Sequence, residues 1–227
     1  AFFGGVLMVL RKLMGIFACT LIIGAASFAT AGVPDLNLSQ ATAASGATTV
    51  VMYNLPNGGG FAFTGAVAIG GAVTDASISL VLVDGAGVPI NLYPSEDMWL
   101  ESGSYVDEDN PGLAYCTGGS VADFSTNAAG ETEWVAPMNA GGWNGGAGVV
   151  TTVMINGAPL TGSAPFPIWH NSADINGDGA VNVSDVQKFA VDYFAPSYAF
   201  RSDLQFDAIV TLSDIPILAQ AVGASCP

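Results

Sequence analysis

The chain has 227 residues, and its 19 acidic residues far outnumber its four basic ones, which gives a formal charge of −15 at pH 7. So negative a protein repels a phosphate backbone, which excludes nucleic acid as an expected partner. The same excess of carboxylates favours divalent cations.

Residues 1–31 have the pattern of a secretory signal peptide. Arg11 and Lys12 form a positive start, an apolar run follows, and 29–31 (Ala-Thr-Ala) is a cleavage motif. We expect a secreted protein that begins at the next residue and keeps no transmembrane anchor; Met8 is an alternative translational start. Loss of two basic residues with this segment leaves a formal charge of −17.

Residues 32–165 carry strand signals and few helix signals. Short runs rich in β-branched and aromatic residues alternate with glycine-rich turns, as in Ile78–Val83, which starts with a polar–apolar alternation. Eight or nine such strands predict a mainly β fold, a β-sandwich. The predicted strands cover residues 48–53, 61–64, 77–83, 88–93, 97–101, 120–124, 131–136 and 148–155.

Two turn phrases in this region resemble those of bacterial Ig-like domains of the invasin type. Val83–Ile90 contains a D-x-x-G-x-P turn, and Ser125–Thr132 contains a T-N-x-x-G turn. In that family each turn joins neighbouring strands, so the resemblance implies an Ig-like sandwich and implies little about activity. We expect residues 166–173 to be a linker, with His170 as a linker residue.

No catalytic motif stands out in the β region. Its acidic residues form no distinctive pair, and the only histidine, His170, has no recognisable nucleophile or metal motif near it. We therefore expect a non-catalytic protein. The four tryptophans either fill a sandwich core or form a platform for sugar rings; they are Trp99, Trp134, Trp143 and Trp169.

Two cysteines remain after signal cleavage, Cys116 and Cys226. An even number in an exported protein indicates a candidate disulfide, which would tie the C-terminus to the β region. Two unpaired thiols are the alternative, because the sequence does not give the Cα–Cα distance that a disulfide requires.

A calcium-loop pattern begins at Asp174. Oxygen-bearing side chains occupy loop positions 1, 3, 5, 9 and 12, and Gly179 stands at position 6, where a sharp turn needs a positive φ. Position 12 is Asp185, where an EF-hand usually has Glu. The predicted ligands are Asp174, Asn176, Asp178, the Ala180 carbonyl, Asn182 and Asp185.

The pattern recurs 29 residues later, and an apolar run follows each copy. Two loop-and-helix units in tandem are hard to obtain by chance. The predicted ligands of the second loop are Asp203, Gln205, Asp207, the Ile209 carbonyl, Thr211 and Asp214. We predict helices over 186–194 and 213–222.

Residues 172–223 resemble the type I dockerin family, whose hallmark is a duplicated calcium loop and helix with Asp at position 12. The resemblance implies a small α-helical domain, here 174–223, that binds two Ca²⁺ ions. Ala208 replaces the position-6 glycine of the second loop, so we expect the first site to be the stronger. In dockerins positions 10 and 11 select the partner; here they are Val183, Ser184, Leu212 and Ser213.

Three functions remain open at this point. The first is a secreted, non-catalytic calcium-binding protein whose dockerin-like module attaches an Ig-like domain to a cohesin-type partner or to the cell surface. The second is a carbohydrate-binding accessory protein of polysaccharide degradation. The third is a small polysaccharide-degrading enzyme, suggested only by the proteins in which dockerins usually occur.

Overall fold

The computed structural model describes residues 32–104 and 106–227, and the predicted signal peptide lies outside them. Its strands are β1 (Gln40–Ala43), β2 (Val50–Asn54), β3 (Ala66–Ala68), β4 (Val73–Thr74), β5 (Ile78–Val81), β6 (Met98–Glu101), β7 (Gly112–Tyr115), β8 (Glu131–Trp134), β9 (Ala140–Trp143), β10 (Thr152–Ile155), β11 (Ala158–Pro159) and β12 (Ile168–Ser172). Its α-helices are α1 (Val183–Tyr193) and α2 (Ile215–Ala221), and 3₁₀ turns cover Phe63–Gly65, Ser95–Asp97 and Phe200–Ser202. The chain is therefore mainly β, as predicted, and neither α-helix is long and apolar enough to cross a membrane.

Four small sheets make up the β region. Their strand orders are β1-β5-β8, β11-β10-β6, β12-β2-β3-β4 and β7-β9. All pairings are antiparallel except that of β12 with β2, which is parallel. A parallel pair needs a long crossover, and here most of the β region lies between the two strands.

Strand β2 is buried on both faces and separates two hydrophobic cores. Successive side chains of a strand point to opposite faces. Val50 and Met52 accordingly belong to the first core, while Val51 and Tyr53 belong to the second. The first core lies among the β strands and includes Phe63, Ile78, Leu80, Leu100, Trp134 and Ile168.

The second core joins the helical part of the chain to the back of this sheet. Its members from beyond β12 include Ile175, Val181, Phe189, Leu204, Phe206 and Leu218. The described residues form one compact unit. The predicted domains 32–165 and 174–223 thus pack together through this second core, to which β2 contributes Val51 and Tyr53.

Most of the predicted linker, 166–173, is strand β12 in this structure and not a linker. Ile168 pairs with Val50 and Ser172 with Asn54, in register along the whole strand. Pro165 and Pro167 precede the strand rather than interrupt it, and proline is tolerated at strand starts. Pro165 and Pro167, with only Phe166 between them, made the segment look like a linker in the sequence.

Several predicted strand positions differ from those observed. Residues 61–64 lead into a 3₁₀ turn, and 88–93 and 120–124 contribute only isolated bridges, at Pro89 and Val121. The glycine run 141–146 begins inside β9. There the small residues allow close packing: a Cβ on Gly141 would overlap the Asp174 carboxylate.

The two basic side chains of the described chain both bind Asp109. Lys188 Nζ lies 3.0 Å and Arg201 Nη1 2.8 Å from Asp109 Oδ1. Arg201 also donates two hydrogen bonds, of 2.7 and 3.0 Å, to the buried carboxylate of Asp192. Hydrogen bonds from Arg201 and then from Lys188 lower the pKa of Asp109. The acidic 107–110 loop therefore contacts the helical part of the chain.

Cys116 and Cys226 form a disulfide in this structure, with a Cα–Cα distance of 5.5 Å. Cys116 directly follows β7, and Cys226 lies three residues beyond Gly223, which ends the last helical turn. The pairing that the sequence left open thus links the C-terminus to the β region.

His170 is a buried residue of β12 and not the linker residue that we expected; it is 0% exposed. Its Nδ1 lies 3.1 Å from Asn54 Nδ2, and its Nε2 lies 2.8 Å from the Thr151 hydroxyl, which donates to the Ile168 carbonyl. These partners fit a neutral ring whose Nε2 carries the proton, because Asn54 donates to Nδ1. Burial lowers the pKa of His170 to about 3.

This depressed pKa makes folding depend on pH. The unfolded ring titrates at about 6.5, so the stability that His170 contributes is complete above this pH and is lost as pH falls towards 3. We expect the free energy of unfolding to fall by up to about 1.4 kcal/mol per pH unit below 6.5 relative to His170→Gln. Urea unfolding of both proteins in chelator at pH 7, 6 and 5 measures it. Parallel pH profiles would contradict the prediction.

Candidate metal centre

The first candidate loop, 174–185, starts where β12 ends. The Asp174 amide donates to the Ser172 hydroxyl at 3.1 Å, and the Asp174 carbonyl accepts from the Gly142 amide at 2.7 Å. The parallel pairing of β12 thus places the first predicted ligand against β9, where its side chain is fully buried.

The Asp174 carboxylate organises the turn that follows. It accepts the amide protons of Asp178 at 3.1 Å and Gly179 at 2.9 Å. The Asp178 carboxylate accepts the Ala180 amide at 3.0 Å. Gly179 has φ +87°, so it takes the left-handed conformation that its position predicted.

Asp185 closes the loop from the first turn of α1. Its two oxygens accept the amides of Asn176 at 3.2 Å and Asn182 at 2.8 Å. Asn182 is the N-cap of α1, and its Oδ1 accepts the Ser184 amide at 2.8 Å. This capping box begins the helix at Val183, three residues earlier than predicted.

The cap changes the expected role of Asn182. Its side-chain oxygen faces the helix, while its Nδ2 donates to the Ala180 carbonyl at 3.0 Å. In this structure an N–H group of Asn182 faces the loop. In calcium loops position 9 often acts through water, which this orientation permits.

The second loop, 203–214, repeats the same hydrogen bonds. Asp203 accepts the amides of Asp207 at 3.2 Å and Ala208 at 2.9 Å. Asp214 accepts those of Gln205 at 3.1 Å and Thr211 at 2.8 Å. Each bond matches one in the first loop at the same loop position, so the sequence repeat is also a structural repeat.

Backbone strain distinguishes the two loops. Ala208 has φ +68° where the first loop has Gly179, and Phe206 has φ +61° where the first loop has Gly177. A side chain in this conformation costs on the order of 1 kcal/mol or more. The second loop also starts α2 two residues later than predicted, at Ile215, without a side-chain cap and with Pro216 in the first turn.

Tyr198 adds a contact that the first loop lacks. Its hydroxyl donates to Asp203 Oδ2 at 2.8 Å, the oxygen that also accepts the Ala208 amide. Burial, and then this hydrogen bond, raise the pKa of Tyr198. The sequence did not indicate a role for Tyr198. At the 29-residue spacing of the two loops, this residue corresponds to Trp169, which precedes the first loop.

The carboxylates at positions 1 and 12 of both loops are buried and have no basic partner. Asp174, Asp185, Asp203 and Asp214 are at most 1% exposed, and the ion pairs among the described residues involve only Glu108, Asp109 and Asp192. Burial, followed by the nearby Asp185 carboxylate, raises the pKa of Asp174 to about 6. Burial also raises the pKa values of Asp185 and Asp203. Unpaired buried charge is costly, and a bound cation would neutralise it.

The donor chemistry of these loops fits calcium. Carboxylate, amide and carbonyl oxygens predominate, and calcium takes six to eight oxygen ligands. Within the described ranges, no three His, Cys, Asp or Glu side chains form a compact metal cluster. An EF-hand-type site does not need one, since amide and carbonyl oxygens complete it.

The predicted partner-binding positions lie on the surface. Val183 is 68% and Leu212 66% exposed. Leu212 and Ser213 line an open groove with Tyr193 and Phe194, and Phe194 is 83% exposed. The end of α1 and the second loop therefore form one apolar surface.

A separate cleft of about 500 Å³ lies beside the second loop. Trp169, Tyr198 and Phe200 contribute aromatic walls, and Gln205 and Asp207 contribute polar groups. Trp134 is buried in the first core, whereas Trp143 packs edge-on against Phe200. The four tryptophans thus form no common platform, and Trp169 alone among them lines the cleft.

No protein-family model matches the chain, and no curated protein matches it. Among solved structures, the Lin-41 filamin domain aligns with 60% of this chain and 95% of its own, at 12% identity and a TM-score of 0.29. A TM-score this low supports no conclusion about this chain.

The loop geometry predicts two calcium affinities. We expect calorimetry of the intact chain to resolve two sites, with Asp178→Ala abolishing the tighter one and Asp207→Ala the weaker one, because each change removes a ligand from one loop. Loss of both sites, or of neither, in the single variants would contradict the assignment.

The positive φ of Ala208 predicts that glycine improves the second loop. Ala208→Gly removes strain of about 1 kcal/mol, so the affinity of the weaker site should rise about fivefold. Gly179→Ala is the reciprocal control and should weaken the tighter site by more, since its Cβ would also lie 3.1 Å from Cys226 Sγ. Calcium titration of both variants measures the effect; an unchanged weak site in Ala208→Gly would show that strain does not limit it.

Proposed function

We propose that the chain is a secreted, non-catalytic calcium-binding protein in which the two loops form a dockerin-like module. The module would attach an Ig-like β domain to a cohesin-type partner or to the cell surface. The observation that carries the proposal is the duplicated loop geometry, in which four buried carboxylates have no basic partner within residues 32–104 and 106–227.

Bound calcium would offset the electrostatic cost of burying the loop carboxylates close together. In each loop two buried carboxylates approach the same turn, and their repulsion contributes to the raised pKa of Asp174. A divalent cation would relieve this repulsion. The excess of acidic side chains in the whole chain would also attract it. Backbone amides already hold each position-1 and position-12 carboxylate in place, which lowers the ordering cost of binding.

The apolar surface supports attachment to a protein partner. Phe194 and Leu212 are large, exposed and adjacent, and contiguous exposed apolar side chains often mark interaction sites. Val183 occupies in the first loop the position that Leu212 occupies in the second. Both loops therefore present an apolar residue at the position that selects the partner in dockerins.

Contacts between the two turn phrases support the Ig-like interpretation of the β domain. Asp84 accepts the Ala86 amide in the first phrase, and Asn127 accepts the Ala129 amide in the second. Thr126 accepts the Tyr93 amide and donates to the Ile90 carbonyl, so the second phrase is fixed to the end of the first. These hydrogen bonds stabilise both phrases as turns.

A binding experiment tests the attachment. We expect the calcium-loaded chain to bind at least one immobilised type I cohesin domain from a panel, and chelator to release it. Val183→Asp/Leu212→Asp should weaken binding about tenfold or more, because charges would enter an apolar interface. Val88→Asp, at an exposed apolar position of the β domain, is the matched control. Binding that does not depend on calcium, or an equal loss of affinity in both variants, would refute the proposal.

The cleft beside the second loop favours carbohydrate binding as a second candidate function. Pyranose rings stack on aromatic side chains; the Gln205 amide can donate hydrogen bonds to sugar hydroxyls or accept them, and the Asp207 carboxylate can accept them. Because no basic residue lines the cleft, anionic sugars are disfavoured. A neutral polysaccharide is the ligand that fits.

Sedimentation with insoluble polysaccharides tests this candidate. The chain should bind a neutral polysaccharide such as cellulose or xylan, and Trp169→Ala should weaken binding about tenfold through loss of stacking. Trp99→Ala, which alters a partly exposed tryptophan outside the cleft, is the control. Equal effects of the two changes would argue against the cleft.

A further inference from the structure

We infer that the disulfide-anchored C-terminal tail (Gly223–Cys226) positions the first calcium loop and makes it the tighter site. This inference rests on the proposed calcium function. It adds a positioning element that lies outside both loops and that neither loop sequence contains.

Three backbone hydrogen bonds join the tail to the middle of the first loop. The Val181 amide donates to the Ala224 carbonyl at 2.8 Å, and the Gly223 amide donates to the Val181 carbonyl at 2.9 Å. The Cys226 amide donates to the Gly179 carbonyl at 2.9 Å. The tail is thus paired with loop positions 6 to 8, on both sides of the Ala180 carbonyl that is the predicted position-7 ligand.

The disulfide fixes this tail to the β region. Cys226 bonds to Cys116, whose amide donates to the Asn139 carbonyl at 2.9 Å. The disulfide therefore holds Gly223–Cys226 in place as a support for the loop.

Strand β7 supports the loop from another direction. A Cβ on Gly177 would come within 2.7 Å of Pro111 and 3.1 Å of Ala114, so the loop backbone packs directly on this part of the chain. Cys116 stands two residues after Ala114. The same short segment thus contacts the loop and holds the tail that pairs with it.

The second loop has no equivalent support. Among the described residues, no backbone–backbone hydrogen bond connects 208–210 to another segment. The segment after α1 that corresponds to the tail, 194–197, makes only local backbone bonds, to Ala190 and Asp192. The two loops therefore have the same internal hydrogen bonds, but they differ in the backbone hydrogen bonds that they make to other segments.

This difference has a direct consequence for binding. Ordering a loop around an ion costs conformational entropy, and a loop already ordered by its surroundings pays less at the moment of binding. Outer contacts that orient metal ligands are worth about tenfold to a hundredfold in affinity. Loss of the disulfide should therefore weaken the first site and leave the second unchanged.

The test measures each site alone. Cys116→Ser/Cys226→Ser is introduced into Asp207→Ala, in which only the first loop binds, and into Asp178→Ala, in which only the second binds. Calcium calorimetry should show about tenfold weaker binding in the first background and less than about a twofold change in the second. Equal weakening in both, or none in the first, would overturn the inference.

Amide hydrogen exchange of the intact chain in chelator provides a second measurement that does not depend on the variants folding. The Val181 and Cys226 amides should be protected before calcium is added, and the Val210 amide should exchange freely. Equal protection of Val181 and Val210 would refute the inference. Absence of calcium binding in the cysteine-containing chain would instead refute the proposed function.

Discussion

The parallel pairing of β12 with β2 is the constraint on which the rest of the structure depends. It sets β12 beside β2, a strand that is buried on both faces and lies between the two hydrophobic cores. It also ends at Ser172, which sets Asp174 against β9 before the first loop begins. The loops and helices thus pack on the β region through the second core, which their own apolar side chains share with Val51 and Tyr53 of β2.

Charge reinforces this arrangement. The described chain has two basic side chains, and both contact Asp109 from the helical part. The carboxylates of the two loops consequently receive amide protons in place of basic partners. Amides can orient a carboxylate without neutralising it, which leaves the negative charge available for an ion.

The two loops show how similar local sequences acquire different surroundings. Their internal hydrogen bonds correspond position by position, since both derive from the same Asp spacing. One loop then contacts β7 and the disulfide-linked tail, while the other borders the aromatic cleft and Tyr198. Affinity differences between such copies follow from these contacts as well as from the ligands that the repeat supplies.

Sequence by itself determined the mainly β character, the period-two burial of Ile78 and Leu80, the two loops and the glycine conformation at position 179. These depend on spacing and on local backbone preference, both of which are written in consecutive residues. Asn182 caps α1, a role that the sequence did not separate from that of a metal ligand because both use the same residue type. The burial of His170, the partners of Asp109 and the tail that supports the first loop were decided only by tertiary structure. Each joins segments distant in the chain, as do the two cysteines, which lie 110 positions apart. No local pattern shows which distant segments will pack together.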